Sequence, residues 1–265
     1  MSIRIRSLLA LVLLVLTALT LRAQDFPYEL DWRREATLLG AGAVTSITAH
    51  LVEGRIEGLS DEQALLLRPR QVNAFDRGAT RQFNDNFRTL SDDVLRSSLA
   101  LPLLTLAARQ TRRKPLVVGL LLAETMLLND GITKGSKVIV RRNRPLTYNG
   151  DFDLGARTTT NARQSFISGH TSNTAALSFF TAKVFHDLYP DSKWRPLVWG
   201  AAALVPALTG YSRYRAGKHF PTDILAGYAV GAGLGILIPQ WHKRPGRRLR
   251  VSPGPGGLRL GLRLD

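Results

Sequence analysis

The chain has no cysteine, and Asp plus Glu number only 20 against 36 Lys plus Arg. The first absence excludes a disulfide scaffold, zinc sites built on thiolates, iron–sulfur clusters and a Cys nucleophile. The shortage of acids leaves a formal charge of +16, which points to anionic partners: nucleic acid, anionic lipid or phosphorylated substrates. Alternating strand-like runs are also lacking until the last dozen positions, so the pattern after Asp25 is helical throughout. With 45% hydrophobic and 21% charged residues over 265 positions, the composition is that of a globular or membrane protein and not of a disordered one.

Arg4 and Arg6 precede an uncharged run from Leu8 to Leu21, followed by Leu21-Arg22-Ala23. Residues 1–23 therefore read as an export signal with Ala23 its last residue, or as an uncleaved membrane anchor. Residues 24–93 read as an N-terminal helical segment. Within it, 52–93 are polar and mixed in charge, with helical spacing around Ala64 to Leu67 and no recognisable site signature. Residues 94–241 form the core and 242–265 a basic tail. Apolar stretches recur at 36–50, 97–108, 115–123, 166–182, 196–212 and 224–241. Most fall short of the roughly 20 residues that cross a bilayer comfortably, and the mean hydropathy is −0.03. They fit short, tilted membrane helices or the buried helices of a large soluble core. The basic clusters Arg109 to Lys114 and Lys243 to Arg250 sit between or after apolar segments, as cytoplasmic loops do, which favours the membrane. Gly227, Gly231 and Gly235 fall on one helix face and permit close helix–helix approach. The fold expected is all-α: a helical bundle with the active site at one end, embedded in a membrane, and a short strand over Leu258 to Leu264.

Three stretches carry chemistry. In Lys137-Val-Ile-Val-Arg-Arg-Asn-Arg144-Pro145, Lys137 and Arg144 are two helical turns apart and would share a face as an anion clamp. Ser168-Gly169-His170-Thr171-Ser172 runs straight into an apolar helix. With Thr171 or Ser172 as N-cap, the Ser168 and Gly169 amides would point at a phosphate beside His170. In Ser212-Arg213…His219…Asp223, the carboxylate four residues on can reach one ring nitrogen of His219 and leave the other free. Each stretch alone is also ordinary helix capping or a solvated basic collar. A P-loop reading of 131–137 fails on its spacing. Glu124 lies inside an apolar segment, where a carboxylate is expensive. His50, His186 and His242 have no partners at metal-ligand spacing and read as structural or surface residues.

Together, in this order, the three stretches resemble the type 2 phosphatidic acid phosphatase (PAP2) and vanadium haloperoxidase superfamily. There are 21 residues between Pro145 and Ile167 and 41 between His170 and Ser212, gaps that fit the family. One position departs: Ile167 stands where the family has proline. The resemblance implies a metal-independent phosphoric ester hydrolase without cofactor, acting on a phosphate monoester or a pyrophosphate. His219, held by Asp223, would attack phosphorus to form a phosphohistidine. His170 would protonate the leaving group, and Lys137, Arg144 and Arg213 would neutralise the phosphoryl oxygens with help from Ser168 and Gly169. The substrate would be a phosphorylated lipid or a small phosphomonoester. Membrane lipids would be the surroundings, with neither nucleic acid nor an obligate protein partner. The alternatives are a vanadate-dependent haloperoxidase and a non-enzymatic membrane protein that binds anionic lipid. With 36–50 outside the bilayer, the site falls on the periplasmic side of a bacterial inner membrane. A soluble periplasmic enzyme would share that compartment.

Overall fold

The computed structural model of the chain describes residues 26–244, 249–254 and 257–262. The signal or anchor read over 1–23 lies outside them. Asp31 opens the first long helix, α1 (Trp32–Glu53), by accepting the N–H groups of Arg33 and Arg34. A capping box between Ser60 and Gln63 starts α2 (Asp61–Leu66), where the helical spacing was read. Then follow α3 (Asp85–Ser98), α4 (Ala100–Ala107), α5 (Pro115–Val140), the single turn α6 (Leu154–Arg157), α7 (Gly169–Leu188), α8 (Arg195–Arg215) and α9 (Pro221–Trp241). Two strands, β1 (Leu249–Gly254) and β2 (Gly257–Leu262), close an antiparallel hairpin with Leu249 opposite Leu262. The expected C-terminal strand is thus β2, and the basic tail supplies its partner. The apolar stretch 97–108 is not one helix, since α3 ends at Ser98 and α4 begins at Ala100. The stretch 115–123 is only the first part of α5.

The helices form an all-α bundle in which α7 is central, packed against α9, α8 and α5, while α1 lies along α5. Its polarity is partly inverted. Thr125, Asn129 and Thr133 of α5 and Ser172 and Thr174 of α7 are buried, and Asn129 bonds both Ser172 (2.5 Å) and Asn173 (2.6 Å). Leu116 and Ile139 of α5, Leu204 of α8 and Leu225 of α9 face outward. Helices α5 and α9 are long and apolar enough to cross a membrane. Polar side chains bonded inside and leucines outside are the arrangement of a bundle whose outer face meets lipid, where packing and interhelical hydrogen bonds hold helices together.

The glycine stripe of α9 lies where close approach requires it. A Cβ on Gly227 would sit 2.6 Å from the Ser168 carbonyl oxygen. On Gly231 it would sit 2.1 Å from that of Ser172, and on Gly235 2.7 Å from that of Ala176. All three contacts are to α7 or its cap, so the stripe sets the distance between the two helices that carry the second and third motifs. Gly231→Ala should therefore lower stability by about 1–3 kcal/mol through overpacking. Gly233→Ala, with no atom near its Cβ, should leave it unchanged or raise it slightly. Thermal unfolding of the two variants in detergent checks this. An equal Tm for both would remove the close-approach argument.

Candidate active site

The three motifs meet at one end of the bundle, where α5 and α8 finish and α7 and α9 begin. Lys137 lies in the last turn of α5. Its Nζ is 3.5 Å from the position a Cβ would take on Gly169, which sets the ammonium beside the start of α7. Arg144 does not share a helix face with it, as the seven-residue spacing suggested. The helix stops at Val140, and Arg141 turns the chain through the left-handed region (φ 49°). Arg144 is then delivered by the loop and aimed by Asn161: Nε donates to its carbonyl at 2.8 Å and Nη2 to its side-chain oxygen at 2.7 Å. Its remaining Nη1 faces His219 Nε2 at 3.5 Å.

The N-cap of α7 is Ser168 and not Thr171 or Ser172. The Ser168 N–H is also not free for a ligand, because it donates to the Asp223 carbonyl at 3.0 Å. Of the two amides expected to bind an anion, Gly169 is the one in the first turn of the helix, where an N–H has no acceptor within the helix. His170 follows, half-buried, with Nε2 2.8 Å from Asp92 Oδ1. Arg213, buried near the end of α8, reaches the same carboxylate at 3.4 Å and Ser91 Oγ at 3.2 Å.

His219 is 1% exposed and lies between α8 and α9, just after Gly217 (φ 65°). Its expected tie to Asp223 is loose. Nδ1 and Oδ2 are 3.6 Å apart, and Nδ1 has no hydrogen-bond partner. Asp223 is instead held by the Phe220 N–H (2.9 Å), the Ser165 hydroxyl (2.5 Å) and Arg142 (2.6 Å). Arg142 in turn bonds Asp76 at 2.7 Å, and Asp76 accepts from Thr222 N and Oγ1. So 52–93, read as lacking a site signature, contributes Asp76, Ser91 and Asp92. Nothing in local spacing marks Asp92, 78 residues before His170. Arg142 did stand inside the basic stretch, two residues before Arg144, and is a neighbour that sequence reading passed over.

Burial, then the charges of Arg144, Arg213 and Lys137, hold His219 well below the ordinary imidazole range, so it is neutral with a free ring nitrogen. Burial followed by Arg213 pushes His170 down to about 4, against the opposing pull of Asp92. Lys218 is lowered to about 8 by burial, then by Arg144 and Arg213. The site thus gathers more positive charge than its acids neutralise, and a phosphoryl dianion would relieve it.

Converging cations, a helix N-terminus and two histidines define a site for a tetrahedral oxyanion. Residues 118–247, which carry all three motifs, match the family model of the PAP2 superfamily. The chain is 32% identical over 133 residues to a lipid A 4'-phosphatase of Porphyromonas gingivalis, covering 49% of this chain and 52% of that protein. It is 28% identical over 138 residues to a lipid A 1-phosphatase of Rhizobium johnstonii, covering 51% and 52%. A phosphatidylglycerophosphatase B of Bacillus subtilis matches at 33% over 84 residues, covering 30% and 40%. The chain spans about half the length, or less, of the curated relatives it matches. A crystal structure described as a transmembrane PAP2-type phosphatidylglycerolphosphate phosphatase from Bacillus subtilis aligns over 89% of this chain and 94% of that one. The identity is 20% and the TM-score 0.44.

Because Asn161 supplies two hydrogen bonds to Arg144, one from its main chain, Asn161→Ala removes one charged bond and leaves the other. Orthovanadate affinity should fall roughly tenfold, the weight of one hydrogen bond to a charged group. Calorimetric titration with orthovanadate measures it, and unchanged affinity would show that Arg144 needs no such support.

Proposed function

We propose that the chain is a phosphatase of phosphorylated membrane lipids that works without metal through a phosphohistidine. The observation that carries this is His219: neutral, buried, with Nε2 turned toward Arg144 and with Lys137, Arg213 and His170 within electrostatic reach. Nε2 attacks phosphorus while the P–O bond to the lipid breaks. His170 gives its proton to the departing oxygen. Water then attacks the phosphohistidine, His170 takes a proton from it, and inorganic phosphate leaves with His219 restored. Asp223, 3.6 Å from Nδ1, stabilises the imidazolium that exists in the intermediate, and such contacts commonly tighten once substrate is bound. Lys137, Arg144, Arg213 and the Gly169 amide hold the equatorial oxygens, which is most of what phosphoryl transfer needs. The phosphoryl charge also raises His170 from about 4 toward its working range, so the acid is loaded with its proton as substrate binds. That a lipid is the substrate is supported by the lipid-facing bundle and by the lipid phosphatases among the relatives.

Phosphate release from a panel of phospholipid and lipid A phosphates, with purified protein in detergent, tests this. Hydrolysis should persist in excess EDTA and be inhibited competitively by orthovanadate. His219→Ala should abolish turnover and any trapped phosphoenzyme. His170→Ala should cost roughly 10²–10⁴-fold on an alkyl phosphate and far less on an activated aryl phosphate, whose leaving group needs no proton. Chelation that stops hydrolysis until Mg²⁺ is returned, or equal losses on both leaving groups, would overturn the mechanism.

An outward-facing site rests on the basic residues alone, because α1, which takes in 36–50, lies along α5 and not apart from the bundle as the span count assumed. Arg109 to Lys114 precede α5, Lys193 and Arg195 lie between or at the start of α7 and α8, and Lys243 and Arg244 follow α9. All are at the end opposite the active site. Basic loops stay in the cytoplasm, and that tendency supports reading the phosphate site as facing the periplasm from a bacterial inner membrane. Alkaline phosphatase fused after Tyr148 should be active and fused after Arg113 inactive. The reverse pattern would overturn the orientation and leave the chemistry untouched.

A further inference from the structure

His242 has partners after all, and they are acidic. At the end of the bundle away from the phosphate site, three elements converge: the first turn of α1 with Glu35, the middle of α5 with Glu124, and the cap of α9 with His242. Glu124 and His242 are fully buried and Glu35 is 7% exposed. His242 Nε2 lies 3.1 Å from Glu35 Oε1 and 3.2 Å from Glu124 Oε2. Its other nitrogen, Nδ1, is 2.7 Å from the Ile238 carbonyl oxygen. That carbonyl can only accept, so Nδ1 carries a hydrogen and Nε2 points at two carboxylates. Glu35 Oε1 also takes Arg34 Nη2 at 3.3 Å and the Asp31 N–H at 3.2 Å.

Four buried atoms turned into this space have no hydrogen bond: Glu35 Oε2, both oxygens of Glu124, and His242 Nε2. If His242 is protonated, its single Nε2 proton serves one of them and leaves buried carboxylate oxygens bare, which is costly. A divalent cation would satisfy the nitrogen and both carboxylates at once. The ring would then be oriented as metal-bound imidazoles usually are, through its other N–H to a backbone carbonyl. The nitrogen-to-oxygen separations are close to the roughly 3.3 Å edge of a tetrahedron with bonds of about 2.0–2.1 Å. Imidazole with two carboxylates suits zinc and disfavours calcium and magnesium, which take oxygen.

We propose that Glu35, Glu124 and His242 form a structural zinc site that ties α1, α5 and α9 together. It is not part of the hydrolytic centre, because Glu124 precedes Lys137 by thirteen residues, roughly 20 Å along α5. The full chain, purified in detergent, dialysed against Zn²⁺ and then against buffer, should retain about one equivalent of zinc. A stronger chelator should strip it and lower Tm by roughly 5–10 °C, with recovery on adding Zn²⁺. Co²⁺ loaded in its place should give the visible absorption of a four-coordinate ion. Glu35→Gln, at the rim and more tolerant than a change at Glu124, should lose that absorption. Hydrolysis assayed well below the lowered Tm should be the same with and without zinc, which separates this site from a catalytic metal. Zinc content near zero with a Tm indifferent to Zn²⁺ and chelator would overturn the proposal and leave an imidazolium between two carboxylates. A cobalt spectrum that survives in Glu35→Gln would overturn it too.

Discussion

Lys137, Arg144 and Arg213 repel one another at a half-closed end of the bundle, and much of the polar architecture answers that repulsion. Burying a cation costs several kcal/mol before any partner is found. Asp92 meets Arg213 from α3, and Asn161 meets Arg144 with two neutral acceptors. Asp223 and Asp76 balance Arg142. Arg144 meets only neutral acceptors, and burial, with these cations adding to it, depresses the ionisation of His170, His219 and Lys218. On the proposed reading, a bound dianion would draw binding energy from relieving that repulsion.

Positioning those charges depends on the backbone more than on side-chain reach. The Ser168 N–H donates to the Asp223 carbonyl, which staples the start of α7 to the start of α9. The three glycines of α9 continue that contact down the helix pair. His170 and His219 are thus carried by two helix entrances whose separation is set by main-chain contact. In the proposed reaction the two histidines would benefit from such rigidity, because small displacements of a reacting group cost large factors in rate.

The legible parts of the molecule were those written in local spacing. The ten positions of the three motifs, the glycine stripe, the helical class and the C-terminal strand all follow from residues near one another in sequence. What stayed hidden depends on chain folding. The Asp92–His170 pair joins α3 to α7, and Asn161 and Ser165 act from a loop of no marked composition. The Glu35–Glu124–His242 cluster joins three separate helices. Two local inferences failed for local reasons. Arg141 enters the left-handed region and ends α5 before Arg144, so a helical period could not be carried across it. Ser168 has its side chain closer to the first free amides than Thr171, and takes the cap. The i, i+4 rule for His219 and Asp223 placed them near each other, yet the carboxylate had better donors in Phe220, Ser165 and Arg142.

The two ends of the bundle solve opposite problems. At the end where the three motifs meet, cations exceed acids, and Lys137 and His170 keep partial exposure. At the far end, two carboxylates and an imidazole are buried together where α1, α5 and the cap of α9 converge. Nearby, Asp187 accepts from Tyr28, Lys183 and Lys243, which anchors the chain leaving α9. Buried ionic groups in lipid-facing helices are tolerated only where they pair inward. Helix α5 meets both conditions along one axis, with Glu124 sealed at one level and Lys137 open at the other. The bundle thus keeps an acid–imidazole cluster and a cluster of cations at opposite ends, and α5 supplies a member of each, so neither group has to be buried against the other.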